Sequence, residues 1–240
     1  MPSPELDLRL DGLEAADERT EEAFWHATGS ELGMLTALAE HHTPDGVHSY
    51  FVLHNGAVTW GAPGDPQLVA LHLRRDIQTK TFRFDHAELP LPAMAQAWLI
   101  HRGCAPDAIG LLPGRGTAPA DELTRALEQR LMRDGDHFAL LHSYTEDGPD
   151  NAVTVVVLRA LDERSPTPFR VLHEEVDTSA WTHTLREGGF DSVDDALQWC
   201  EDRLAGESSP LPPVRPSARF TRHLTPVVPA LATRPSGRSR

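Results

Sequence analysis

Two short stretches combine residue types that can do chemistry. "TFRFDHAE" (81–88) and "PFRVLHEE" (168–175) share Phe-Arg-x-x-His-x-Glu. Side chains alternate along a strand. Phe82, Phe84, His86 and Glu88 therefore share one face of the first stretch, and Phe169, Val171, His173 and Glu175 one face of the second. Arg170, Leu172 and Glu174 take the opposite face. If the two His-x-Glu rims converge, Glu88 and Glu175 are candidate catalytic residues. Two carboxylates roughly 5–9.5 Å apart serve as acid and base in glycoside hydrolysis. His86 and His173 could instead join them around a divalent metal, because imidazole plus carboxylate suits zinc or non-haem iron. A strand that runs from core to rim gives the same pattern with no chemistry at all.

Other candidates are weaker. "HHTPDGVH" (41–48) gathers His41, His42, Asp45 and His48, a possible metal loop. A helix end followed by a turn explains it as well, since His suits a helix C-terminus. "PGRGTAP" (113–119) lacks the GK[ST] ending of a phosphate-binding loop and reads as a linker. No GxSxG is present, and nothing marks Cys104 as an activated nucleophile. "TSAWTHTLREGGF" (178–190) offers Trp181 and Arg186 as ligand-binding candidates beside Gly188-Gly189, or else forms a fourth strand with a turn.

The elements that must position these residues fall into two sets. "SELGMLTALAEHH" (30–42) reads as a helix, with Ser30 as N-cap and Leu32, Leu35, Leu38 and Ala39 on one face. Strand candidates follow at "SYFVLHNG", "PQLVALHLRRD" and "KTFRFDHAEL", then a helix at "PAMAQAWLIHRG" with Pro92 in its first turn. The second set starts with a helix at 119–135 and continues with strands "HFALLHSY", "NAVTVVVLRALD" and "PFRVLHEEVD". A helix over "DSVDDALQWCEDRLAG", capped by Asp191 or Ser192, closes it. "AVTVVVL" lacks strict alternation and is the candidate for a central strand covered on both faces. Trp98 and Trp199 are expected to pack their helices onto the sheets.

The order helix, strand, strand, strand, helix thus occurs twice. With an offset of 87 residues, Phe82, Arg83, His86 and Glu88 fall on Phe169, Arg170, His173 and Glu175, and "YFVL" (50–53) falls on "HFAL" (137–140). A one-residue slip sets Asp76 on Asp162. "AQAW" (95–98) falls on "ALQW" (196–199) once an insertion is allowed. Internal duplication follows as an expectation. The predicted fold class is α+β: two similar units of antiparallel three-stranded sheet with flanking helices. The divisions are an acidic helical segment at 1–29, a first unit at 30–112, a linker at 113–119, a second unit at 120–206 and a Pro/Arg-rich disordered tail at 207–240. "SPLPPVRP" within that tail is a candidate polyproline II ligand.

Composition limits the function classes. The chain has 240 residues and a net charge of −14. From Glu207 onward six arginines (Arg215, Arg219, Arg222, Arg234, Arg238 and Arg240) face one acid, so the tail is +5 and the body −19. A body that acidic repels phosphate backbones, which argues against nucleic acid. No 18-residue apolar run suggests a membrane span, and the acidic N-terminus lacks a signal sequence. Two cysteines make no disulfide framework, so a reducing, cytoplasmic setting is expected.

At "LPLPAMAQAWLIHRGC", "HFALLHSYTED" and "FRVLHEEVDTSAWTHTLREGGF" the sequence resembles an actinobacterial, Streptomyces-like protein family with no established activity. Some of its members carry a glycosyl hydrolase label. The resemblance covers the body and leaves out the tail. It implies a high-GC Gram-positive origin and a cytosolic location, and it assigns no catalytic residue. The resulting expectation is a non-catalytic interaction or regulatory module that binds a protein partner, without cofactor or metal. The alternatives are a glycoside hydrolase with Glu88 and Glu175 as its carboxylate pair, and a metal-binding sensor.

Overall fold

The computed structural model describes residues 6–28, 34–58, 64–147, 151–207 and 209–215. Its strands form two five-stranded sheets, where three strands per unit were expected. The first contains β1 (Glu14–Ala15), β2 (Leu35–His42), β3 (His48–Asn55), β4 (Leu68–Asp76) and β5 (Thr81–Leu89), in the spatial order β1-β5-β4-β3-β2. The second contains β6 (Ala118–Pro119), β7 (Phe138–Asp147), β8 (Asn151–Ala160), β9 (Phe169–Asp177) and β10 (Thr182–Phe190), in the order β6-β10-β9-β8-β7. The helices are α1 (Glu18–Thr28), α2 (Pro92–His101), α3 (Glu122–Asp134) and α4 (Val193–Leu204). Both halves therefore run short strand, helix, four antiparallel strands, helix.

The extra strands come from three places. Residues 35–42 form β2 rather than a helix. A bulge lies between Ala37 and Ala39, and its counterpart in β7 lies between Leu140 and His142. A bulge adds one residue and breaks the two-residue alternation. Leu35 and Ala37 thus reach one core while Leu38 and Ala39 reach the other, a spacing that imitates a helical face. The expected helix start at Ser30 lies outside the described residues. Thr182–Phe190 forms β10, so Gly188 and Gly189 sit inside a strand, not in a loop. The short β1 and β6 pair parallel to β5 and β10.

Those pairings redraw the expected boundaries. Residues 6–28 belong to the first unit: Leu8 is buried with Phe51, Leu71 and Phe82, and α1 packs there through Phe24. The 113–119 linker ends in β6. Residues 209–215 of the expected tail lie against the second sheet. Gly189 N–H donates to Pro212 O at 3.0 Å, Trp199 Nε1–H donates to Ser209 O at 2.9 Å, and a Cβ on Gly188 would meet Leu211 at 2.5 Å. The rest of the tail, 216–240, lies outside the described residues.

Each sheet is apolar on both faces, so each needs two covers. Phe51, Leu53, Leu71 and Leu73 face α1, while Tyr50, Val52 and Ala70 face α2 through Ala95 and Leu99. In the second sheet Val156, Leu158 and Leu172 face α3 through Leu127 and Leu131, while Val155, Val157 and Val171 face α4 through Ala196 and Trp199. β8 is buried on both faces as expected, although β9 holds the middle position. The layers follow the order α1, first sheet, α2, α3, second sheet, α4. Leu91, Ala93 and Met94 at the start of α2 join the core beneath α3, and this joins the two units. The outer side of α4 presents Asp194, Asp195, Gln198, Glu201 and Asp202 to water.

At the α2–α3 junction the chain after α3 comes close to α2. A Cβ built on Gly135 would lie 2.8 Å from the Cβ of Ala97. Gly135 has φ −60°, which alanine also adopts, so replacing it tests the contact alone. Gly135→Ala is expected to lower stability by about 1–3 kcal/mol in denaturant titration. Combined with Ala97→Gly it should lose less than the two single changes summed.

Candidate functional site

The four His-x-Glu residues do not share a site. His86 and Glu88 are exposed on β5 of the first sheet, where His86 stacks on Phe84 with centroids 5.5 Å apart. His173 and Glu175 lie on β9 of the second sheet, facing α4. Arg203 of α4 joins them: its Nε donates to His173 Nε2 at 3.0 Å and its NH2 pairs with Glu175. The Nε2 lone pair is thereby occupied, which fixes His173 as the neutral Nδ1–H tautomer. Burial, then the Arg203 charge, lowers its affinity for a proton.

The two signatures also hold unlike places. β5 is the last strand of its unit and presents Phe82, Phe84 and His86 to the α1 side; β9 is the third long strand and presents His173 to α4. The strand equivalent to β5 is β10. The matching pairs are instead His72 with His173, Asp76 with Asp177 and Trp98 with Trp199, all 101 residues apart. Asp76 and Asp177 cap identical hairpin turns that end on Lys80 and Trp181, each at φ 54°. Glu14 N–H donates to Lys80 O and Ala118 N–H to Trp181 O, at 3.0 and 3.1 Å. Trp181 is exposed there, in a conformation unusual for a bulky residue. Arg186 is bound to Asp121, the N-cap of α3, and to Thr124 Oγ1 at 3.0 Å.

The remaining sequence candidates have structural partners. His42 Nδ1 meets Ser49 Oγ at 2.6 Å, and Asp45 accepts from Val47 N–H within the turn. His48 Nδ1 and His72 Nε2 lie 3.0 Å apart, and His72 stacks on Tyr50 at 4.4 Å. Among the described residues no group of three His, Cys, Asp or Glu is placed to hold a metal ion. Burial pushes the Cys104 thiol up to about 11 and, with the Glu201 charge, Cys200 to about 12, so neither is an activated nucleophile.

One position distinguishes the units chemically. Phe82 on β5 pairs with Ala15 of β1, and His183 on β10 pairs with Pro119 of β6, so the two are equivalent. Phe82 stacks edge-on against Phe24 of α1 at 5.1 Å. His183 instead bonds Glu128 of α3 at 3.0 Å through Nε2 and Thr117 Oγ1 at 2.9 Å through Nδ1. Burial alone would lower the proton affinity of His183, but the Glu128 hydrogen bond and the Glu174 charge outweigh it and raise it. Glu174, on the same face, is pushed up to about 7 by burial.

At the place that this polar cluster takes in the second unit, the first has a groove of about 540 Å³. Leu10, Leu13, Phe24, Trp25 and Phe82 line it, with Glu14 and Glu21 at its rim. Trp25 is 61% exposed. A second cleft, of about 590 Å³, lies at the end of α3, where Arg130 and Arg170 both pair with Glu187. Glu187 serves both arginines there, Arg215 pairs with Asp191, and Arg170 Nε has no hydrogen-bond partner. We take the aromatic groove as the candidate site because it exposes Trp25 beside an apolar floor, and it suits an apolar segment carrying positive charge. The sequence did contain a signal for it. "ADERT" (16–20) and "ADELT" (120–124) mark the equivalent helix starts, and from there Phe24 falls on Glu128 and Trp25 on Gln129. Comparison of the chain with family models, with curated proteins and with solved structures gives no match.

Two titrations check these assignments. Burial, then the His48 charge, lowers His72 from 6.5 to about 4. Its folded value lies below its unfolded one, so its contribution is present above pH 6.5 and is lost as pH falls toward 4. The loss is on the order of 3 kcal/mol. His72→Phe, which keeps a ring against Tyr50, should flatten that limb of the stability curve. His183 has the opposite sign: its contribution is full below pH 6.5 and fades as pH rises through its raised value. His183→Phe alone strands Glu128 and should cost roughly 1–3 kcal/mol at pH 6. His183→Phe with Glu128→Phe, which installs the first unit's pair, should recover most of that loss in thermal melts.

Proposed function

We propose that the protein is a non-catalytic interaction module that engages a protein partner through the aromatic groove of its first unit. The observation that carries this reading is the exposed Trp25 beside an apolar floor of Leu10, Leu13, Phe24 and Phe82. Tryptophan exposed beside a concave apolar surface is a common anchor in protein recognition. The two units are read as copies of one ancestral unit, of which the first keeps an open groove and the second has closed it with His183 and Glu128. Two buried thiols suit a reducing, cytoplasmic compartment.

The hydrolase alternative has less support. Glu88 and Glu175 belong to different sheets with α2 and α3 between those sheets, and Glu175 is paired with Arg203. Panning the whole protein against a library of apolar, basic peptides is expected to yield binders. Trp25→Ala should weaken them about tenfold or more, and Glu88→Gln should not change them. A glycoside panel should show no turnover. Turnover that disappears in Glu88→Gln or Glu175→Gln would overturn the reading.

A further inference from the structure

The groove has a candidate occupant in the same chain. Residues 216–240 contain Arg219, Arg222, Arg234, Arg238 and Arg240 and no acid, a charge of +5. They also carry apolar side chains at Phe220, Leu224, Val227, Val228 and Leu231, with prolines at 216, 226, 229 and 235. The surrounding stretch, residues 11–28, carries Asp11, Glu14, Asp17, Glu18, Glu21 and Glu22 against Arg19, a charge of −5, although Asp17 is itself paired with Arg83. Glu14 and Glu21 line the groove itself. We propose that a stretch of residues 216–240 folds back onto its own molecule and occupies the groove formed by Leu10, Leu13, Phe24, Trp25 and Phe82, its arginines meeting the acidic rim. This rests on reading the groove as a binding site, and it makes the site self-regulated.

The chemistry fits on both sides. Apolar side chains and proline rings suit the aromatic floor, as in recognition of proline-rich segments by aromatic-lined grooves. Arginine stacks on an exposed indole and pairs with carboxylates at the rim. Geometry allows it too. The segment leaves the second unit after Arg215, which pairs with Asp191. Its 25 residues can span up to about 80 Å when extended. Six layers roughly 10 Å apart are shorter than that. An intramolecular ligand at such a tether length acts at an effective concentration in the millimolar range, so weak contacts suffice. A foreign partner must then displace it.

The test uses the full chain with fluorotryptophan incorporated, the Trp25 resonance being assigned through Trp25→Phe. A spin label is attached at Thr233→Cys, 18 residues beyond Arg215 and so within reach of the groove; Cys104 and Cys200 are buried and leave that thiol as the reactive one. The Trp25 resonance should lose most of its intensity, to the same degree at every protein concentration. Changing Arg219, Arg222, Arg234, Arg238 and Arg240 to Glu should restore it. Unbroadened Trp25, or broadening that charge reversal leaves in place, would overturn the proposal. Broadening that vanishes on dilution would overturn it in favour of exchange between copies. If panned peptides still need Trp25 while the label leaves it sharp, the groove binds foreign partners only. If no peptide binds even after charge reversal, the reading of the groove fails instead.

Discussion

Helix Pro92–His101 has almost nothing to offer water. Its sequence, PAMAQAWLIH, is apolar nearly all the way round, and a helix of that kind must be covered on every side. The first sheet covers Ala95 and Leu99, the second unit covers Ala93 and Met94, and Gln96 satisfies its amide by donating to Ile109 O at 2.7 Å. The rest of the layering depends on this. One helix closes the first sheet and also forms the platform on which the second unit is built. Gly135 supplies the close approach that a larger residue would prevent.

Both sheets meet a further constraint at the outer strand of each unit. An uncovered edge leaves backbone groups unpaired and invites association. In the second unit β10 is covered in sections: β6 pairs with Thr182 and His183, Thr124 Oγ1 accepts from Leu185 N–H at 3.1 Å, and Pro212 O accepts from Gly189 N–H. The same α3 that buries Leu127 and Leu131 thus also satisfies strand backbone. Arg186 bends over this edge to reach Asp121, which is why a residue that looked available for ligand is committed to a helix cap.

The sequence revealed the elements better than their correspondence. Alternation and caps identified β3, β4, β5, β7, β8, β9 and the helices α2, α3 and α4, the acidic segment read as helical contains α1, and the N-cap Ser192 was legible as such. The bulge at Ala37–Ala39 concealed β2, because one inserted residue turns a two-residue rhythm into something close to a helical one. The repeat was misread in register for a different reason. Phe-Arg-x-x-His-x-Glu catches the eye because its residues are chemically rich, yet it arises where two unrelated strands each run from core to rim. The residues that the architecture repeats are plainer: Asp17 and Asp121 at the helix starts, Asp76 and Asp177 in the turns, Trp98 and Trp199 against the sheets. They recur because each holds backbone or fills volume. The candidate groove was harder to read for the converse reason: its signal, "ADERT" against "ADELT", tells only when one asks what the second unit has at the place of Phe24 and Phe82.

The outer side of α4 carries Asp194, Asp195, Gln198, Glu201 and Asp202 where its counterpart α2 carries Ala93, Met94, Ala97 and other apolar groups. A third unit would have to desolvate those carboxylates to dock there as α3 docks on α2. Head-to-tail contacts that do not close into a ring run on into fibres, and this acidic cap stops such growth at its first step. The stacking of units accordingly has a direction, and it ends at α4.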